Sequence, residues 1–550
     1  MLRNNVLAAA LGVLAHQVVF IHGEWHLRAP AVVIVHFLIG IFIYTTEISK
    51  DEQNGLLSAT VLVCLYLASL LSSISIYRLF FHPLRHFPGP RLVALTKLWH
   101  VWKCRDSRGH HVLDEWHKSY GTFVRTGPAE ITIFHPVAYQ AMDGPGNQNT
   151  RSDWYDLLYP RISSIFTRDR KLHSSRRKLW ERALSRKALM EYYERVREKV
   201  HTLESLVMSQ NSRPVDINKL MYWFAFDSMG DFAFSEDFGM MKNKAWHQNI
   251  VMLRSALALL GPLSPAIWIP RLGFAFIPGL WRVRDWFQML AFCDKCMERR
   301  MKRKVESKDI ASWFIEDHLT REHDSNRHRW LSGDTATLVV AGSDTTAPSL
   351  SILFYFLARY PEHVEKINLE IMSVDHEDPN ALAALPHLNG TINEAMRLLP
   401  AVLTFSSRVT PPEGITVENT FIPGNTKICA PRYTIGRLEC AYEQPNDFIP
   451  ERWYSRPELI KDRRAFAPFG VGHTSCVGKH LAIAQIRLVA ANLIARYRIE
   501  FAPGEGSGEA VERDMKDQLT ARPGRFHLIF VPRRMDTLPV GNEESKGLVQ

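Results

Sequence analysis

Two short stretches of this 550-residue chain carry residue types that can do chemistry together. In Ala467-Pro-Phe-Gly-Val-Gly-His-Thr-Ser-Cys-Val-Gly-Lys-His-Leu-Ala482, Cys476 stands between Gly472 and Gly478, just ahead of an apolar-periodic run, Leu481 to Tyr497, that predicts a helix. A cysteine at a helix start faces unpaired backbone N–H groups and the positive end of the helix dipole. Both favour thiolate over thiol and make Cys476 a candidate metal ligand. Gly472 permits the turn leading in, and Gly478 leaves no Cβ where a flat macrocycle would lie against the backbone. Phe469, upstream, can cover the sulfur. The second stretch, Val340-Ala-Gly-Ser-Asp-Thr-Thr-Ala-Pro-Ser349, lies inside Leu331 to Tyr360, long enough for one helix crossing a whole domain. A glycine, an acid and two threonines are poor choices for a helix centre. Pro348 also removes the N–H that would bond the carbonyl of Asp344. A helix opened there has room for a small ligand and water, and a Thr345 hydroxyl beside an Asp344 carboxylate makes a proton relay.

Other segments must position these groups. Asp169 to Ser185 reads as a basic helix with His173 and Arg177 four apart on one face, where both can reach an anion. Arg176, Lys178 and Arg182 are expected outward, as a surface for an acidic partner. Glu394 and Arg397 lie three apart on a helix face and can pair, and Arg452 in Phe448-Ile-Pro-Glu-Arg-Trp453 is a possible third member. Val124 to His135 predicts a hairpin turning at Gly127-Pro128, and the stretch from Arg408 to Pro431 predicts short strands. Further strands are expected at Arg498 to Phe501 and Phe526 to Val531. Leu519 and Thr520 lie just ahead of the last.

The spacing of Phe469, Gly472, Cys476 and Gly478 resembles the haem-binding loop of the cytochrome P450 family. Ala341, Gly342, Asp344, Thr345 and Thr346 resemble its distal oxygen-activation motif, and Glu394, Arg397 and Arg452 its core network behind the cysteine loop. The motifs run in family order from near residue 82 to about residue 534. The resemblance implies a mainly helical fold with a small β lobe and haem b whose iron takes Cys476 as axial thiolate. It further implies that His173, Arg177 and Arg408 contact the haem propionates, and that Leu519 and Thr520 bring a loop tip into the substrate pocket. One position departs from the pattern: the arginine usual two residues before the cysteine is Thr474 here, with His473 beside it. Arg408, Arg177, His173 and His473 are expected to compensate. By the same resemblance the protein is a monooxygenase. It draws electrons from an NADPH-dependent cytochrome P450 reductase and oxidises a hydrophobic small molecule such as a terpenoid, a steroid-like compound, another secondary metabolite or a xenobiotic, in the style of fungal members. Two rivals stand beside it: a reductase-independent isomerase or dehydratase of peroxides, and a non-catalytic haem-binding membrane protein.

Composition sets the frame. With 46% apolar residues the chain can bury a large core, and it is too charged to be an all-membrane protein. The net charge of +10 comes without any nucleic-acid motif, which leaves an anionic membrane face or an acidic redox partner. Seven cysteines are too few and too scattered for a disulfide scaffold, and Cys293 and Cys296 lack a second pair to complete a zinc site. Three apolar stretches, Val6 to Ile21, Ala29 to Tyr44 and Leu56 to Tyr77, open the sequence; only the third comfortably reaches the roughly 20 residues that cross a bilayer. Glu47, Asp51 and Glu52 follow the second stretch, and Arg78 and Arg85 follow the third, so the positive-inside rule puts the main domain in the cytosol. The expected organisation is an anchor of one to three membrane helices over residues 1–80, a proline-rich hinge over 81–92, a haem-thiolate catalytic domain over 93–535 and a polar tail over 536–550. The compartment expected is the endoplasmic reticulum membrane.

Overall fold

The computed structural model describes residues 2–404 and 406–533; the expected tail lies outside them. The first apolar stretch forms the helix Leu2–Leu14 continued by a π-helical segment, Ala15–Phe20, and two longer helices follow. Ala29–Lys50 and Gly55–Phe81 are each long and apolar enough to cross a membrane. Gly12 lets the first helix lie directly on the third, since an added Cβ would stand 2.0 Å from the Ser69 hydroxyl. The proline-rich segment forms a short 3-10 turn, Pro83–His86, and then packs on the first hairpin, where Arg125 N–H donates to the Pro88 carbonyl at 2.7 Å.

Strands are short and gathered at the periphery, as a sequence with isolated β runs between long amphipathic helices requires. The hairpin Phe123–Gly127 and Glu130–Ile133 opens a five-stranded sheet that continues through Lys427–Cys429, Ser407–Val409 and Thr150–Arg151. Lys427–Cys429 runs parallel to Glu130–Ile133, and every other pairing in this sheet is antiparallel. At its far edge Arg408 stands opposite Arg151, so two strands deliver two guanidinium groups to one place. In a second sheet His527–Pro532 is the central strand, paired with Val215–Asp216 on one side and Tyr497–Phe501 on the other.

The main core lies among helices. Ile217–Phe234 is buried almost all round, and it packs on both halves of the stretch expected as one long helix. That stretch is two helices, Arg327–Ser343 and Thr346–Arg359, broken at Asp344 and Thr345. The break falls where Pro348 withholds its N–H, so the proline does more than kink the helix. Lys479–Arg496, which follows the cysteine, packs on the second half and on Arg186–Met208.

A buried ionic knot ties the helix Pro386–Leu398 to the segment leading to the cysteine loop. Glu394 accepts two bonds from Arg397 at 2.8 Å, one from Arg452 at 2.9 Å, one from the Trp453 indole at 2.9 Å and one from Ile449 N–H at 3.0 Å. Arg397 spends its other donors on the carbonyls of Gly436, Pro445 and Asp447, and Arg452 on those of Glu443, Gln444 and Leu459. All three ionised side chains are fully buried, a placement that costs solvation and survives only because every donor is matched.

Candidate active site

The broken helix and the cysteine loop both line one cavity of about 340 Å³, the first through Ala341, Gly342, Thr345 and Thr346 and the second through Phe469, Cys476, Val477 and Gly478. The cysteine loop is built to approach closely. Gly472 has φ +62°, and a Cβ on it would stand 1.9 Å from the Asp143 carbonyl, so this position admits no side chain. Cys476 N–H donates to the Phe469 carbonyl at 2.8 Å, which closes the loop between them. The sulfur opens onto the cavity and accepts a bond from Gly478 N–H. Burial within the protein pushes the thiol up from its ordinary range; Gly478 N–H, Arg177, Lys479 and Arg432 pull the other way without overcoming it. A cation bound at the sulfur would supply the remaining stabilisation, releasing the proton as it binds.

One wall of the cavity is basic. His173, Arg177, Arg408, Arg151 and Arg432 all reach it, against a single carboxylate, Asp143. Arg408 makes a bidentate pair with Asp143 at 2.7 and 2.8 Å, donates to Tyr155 Oη at 2.8 Å and donates to Thr474 Oγ1 at 3.0 Å. Burial works against the Arg408 charge, but Tyr155 and Asp143 outweigh it and raise its pKa. Thr474 thus receives the neighbouring arginine in place of being one. Arg177 donates to the Ser475 carbonyl and, at 2.9 Å, to Glu181. Arg151 donates to the carbonyls of Ser164 and Thr167 at 2.7 Å. Burial first, with Arg408 and Arg177 adding to it, pushes Arg151 down to about 10. His173 is neutral, its pKa pushed down to about 3 by burial and then by Arg151, His473 and Arg177. A surplus of guanidinium groups at one rim, a soft sulfur ligand below and bare glycine backbone fit a flat, carboxylate-bearing iron macrocycle.

Not every expected residue faces the cavity. His473 stands behind His173, ring centroids 5.6 Å apart, and Gly472 lies against Asp143. Asp344 is buried beside the opening, where it accepts from Thr520 Oγ1 and bonds Tyr222. Burial raises its pKa, with Thr520, Arg254, Arg522 and Tyr222 acting the other way. Thr345 lines the cavity with its hydroxyl donated to the Ala341 carbonyl at 2.9 Å. Leu519 is the tip of a hairpin, Lys516–Gln518 with Thr520–Arg522, and lines a smaller adjoining cavity.

One expectation is corrected outright. Arg176 does not point outward: it is 3% exposed and ion-paired to Asp334 and Asp317. Its face of the helix is the one that packs on Ile310–Thr320 and Arg327–Ser343, and two acids there draw it in. Lys178 and Arg182 do remain at the surface. Sequence reasoning also missed Arg151, Asp143, Tyr155 and Arg432. No spacing signals the first, which sits in a two-residue strand and reaches the wall only through its pairing with Arg408.

Comparison with known proteins agrees with this geometry. Residues 88–530 match the family model described as Cytochrome P450. The cytochrome P450 monooxygenase sthD of Phaeosphaeria nodorum is 36% identical over 84% of this chain and 98% of its own. Tryprostatin B 6-hydroxylase of Aspergillus fumigatus is 34% identical over 90% of this chain and 91% of its own. Among solved structures, the heme domain of cytochrome P450DA superposes with a TM-score of 0.65 at 15% identity, covering 78% of this chain and 94% of that one.

Proposed function

Because this chain belongs to the cytochrome P450 family, and so is a monooxygenase acting on a small molecule, we propose that it works with haem b and an NADPH-dependent reductase on a hydrophobic secondary metabolite. One observation carries the reading of the site: Cys476 and Thr345, 131 positions apart in the chain, line the same cavity. Cys476 would hold the iron, with Arg177, Arg408, Arg151 and His173 at the propionates, and Gly478 and Gly342 leaving room for the ring. When bound, the haem supplies a thiolate-ligated iron at which dioxygen is activated and split. One oxygen atom goes to the substrate and the other leaves as water, which takes two electrons and two protons.

The residues of this chain manage the protons. Thr345 carries the hydroxyl that reaches the cavity, and the break in its helix frees that hydroxyl to turn from the Ala341 carbonyl toward a ligand. Asp344 stands next in the chain with a raised pKa, so it holds a proton more readily than an ordinary carboxyl and keeps one in reserve beside Thr345. The exposed Lys178 and Arg182, near the basic rim, suit an acidic reductase surface. Residues 1–80 serve as the membrane anchor, supported by the two long apolar helices. Residues 81–92 form the hinge to a catalytic domain in the cytosol, at the endoplasmic reticulum.

The test is expression in microsomes with a reductase, followed by the reduced carbon-monoxide spectrum and a product screen on terpenoids, steroids and aromatics. NADPH-dependent product is expected. Turnover of hydroperoxides alone, without NADPH, would instead make the protein an isomerase or dehydratase. Thr345→Ala should keep the spectrum and divert reducing equivalents to hydrogen peroxide; fully coupled turnover in that variant would remove Thr345 from the relay.

A further inference from the structure

Beside the main cavity lies a smaller chamber of about 80 Å³, and Ser406 lines both. Its wall carries an unusual number of ionisable side chains: Lys97, Lys427, Glu130, His100 and Asp517. Most of them cancel. Lys97 pairs with Glu130 at 2.5 Å, and Lys427 pairs with Asp153 at 3.0 Å and Glu130 at 3.5 Å. Two cations thus meet two carboxylates. His100 is neutral, its pKa pushed down to about 3 by burial.

Asp517 is left over. It is 7% exposed, its carboxylate accepts from Thr404 Oγ1, and it forms no ion pair among the described residues. Among the described residues it is the only charged group of the chamber without a partner of opposite sign there. Gly109 leaves space in front of it, since an added Cβ would stand 3.4 Å from Oδ2. The strand that carries it is pinned to the fold, with Asp517 N–H donating to the Ser107 carbonyl at 2.7 Å. A buried carboxylate is stable only when charge and hydrogen bonds are matched. One that lines a cavity can be matched by what enters it. Apolar neighbours Leu113, Trp154, Leu260 and Leu519 line the same space, which at about 80 Å³ takes a small ammonium head and leaves the carbon skeleton to the larger cavity beyond Ser406.

We propose that this chamber is an amine-recognition subsite, in which Asp517, steadied by Thr404, receives the protonated nitrogen of the substrate. The inference rests on the monooxygenase reading and narrows its substrate class to basic, nitrogen-bearing small molecules. Asp517 is a specificity residue and takes no part in oxygen chemistry.

The experiment uses the full-length, haem-loaded protein and a matched pair of probes: 1-methyl-4-phenylpiperidine, a tertiary amine protonated at neutral pH, and its neutral carbon isostere 1-methyl-4-phenylcyclohexane. Affinity is read by equilibrium dialysis and by the spin-state change of the haem spectrum. A charge-assisted hydrogen bond predicts that the amine binds roughly 10- to 100-fold tighter than the isostere. Asp517→Asn should abolish that preference, and Thr404→Val should weaken it. Equal binding of the two probes to the unmodified protein, or an undiminished preference in Asp517→Asn, would overturn the proposal. Should Asp517→Asn fail to fold, the unmodified protein and Thr404→Val decide. The reduced carbon-monoxide spectrum on the same samples keeps the two readings apart: its absence counts against the haem-thiolate assignment, whereas its presence without amine preference counts against this subsite alone.

Discussion

Glu394→Gln is the sharpest test of how the site is held. The carboxylate receives five donors, three on Oε1 and two on Oε2. The less damaging orientation of glutamine keeps its oxygen at the Oε1 position and turns the NH₂ toward Arg397 Nε and the Trp453 indole, so two accepted bonds become donor-donor contacts. Two fully buried guanidinium groups lose their counter-charge as well. Breaking a buried ion pair from one side costs roughly 3–5 kcal/mol, a large part of the roughly 5–15 kcal/mol that holds a typical protein folded. Unfolding in urea, followed by tryptophan fluorescence and haem absorbance on detergent-solubilised full-length protein, should show a lower midpoint and faster haem loss. Glu394→Gln and Arg452→Leu combined should cost less than the sum of the two singles, because they break the same contact. A single variant within about 1 kcal/mol of the parent, or strictly additive singles, would refute the reasoning.

Two further outcomes follow from the same structure. Gly472→Ala places a methyl group 1.9 Å from the Asp143 carbonyl at φ +62°; it should lower haem occupancy and cost roughly 1–3 kcal/mol in backbone strain before the overlap is relieved, read as porphyrin content per protein. Asp517→Asn should stabilise the protein at pH 8 by roughly 2–3 kcal/mol. Burial raises the folded pKa of Asp517 to about 6 from 3.8, so the folded chain binds the extra proton between those values and its stability falls as pH rises through that window. The gain should fall below about 1 kcal/mol by pH 4, and urea midpoints at the two pH values check it.

The sequence made the chemistry legible where it depends on residue type and local spacing. Cys476 among its glycines, the acid–threonine pair ahead of Pro348, and the Glu394–Arg397 pair all emerge from short windows, and so do the hairpin and the late strands. It left hidden whatever depends on long-range register. Arg151 meets Arg408 only because two edge strands pair, and Thr520 meets Asp344 only because a distant hairpin reaches the helix break. Arg176 was misplaced for a related reason: one face of a basic helix looks like another until Asp317 and Asp334 arrive from elsewhere in the chain.

The central claim, that Cys476 is the iron's ligand, is tested most directly by the reduced carbon-monoxide spectrum of Cys476→Ala beside the parent protein at equal haem content. The thiolate-dependent Soret band should be present in the parent and absent in the variant. A variant that keeps that band unchanged would contradict the assignment.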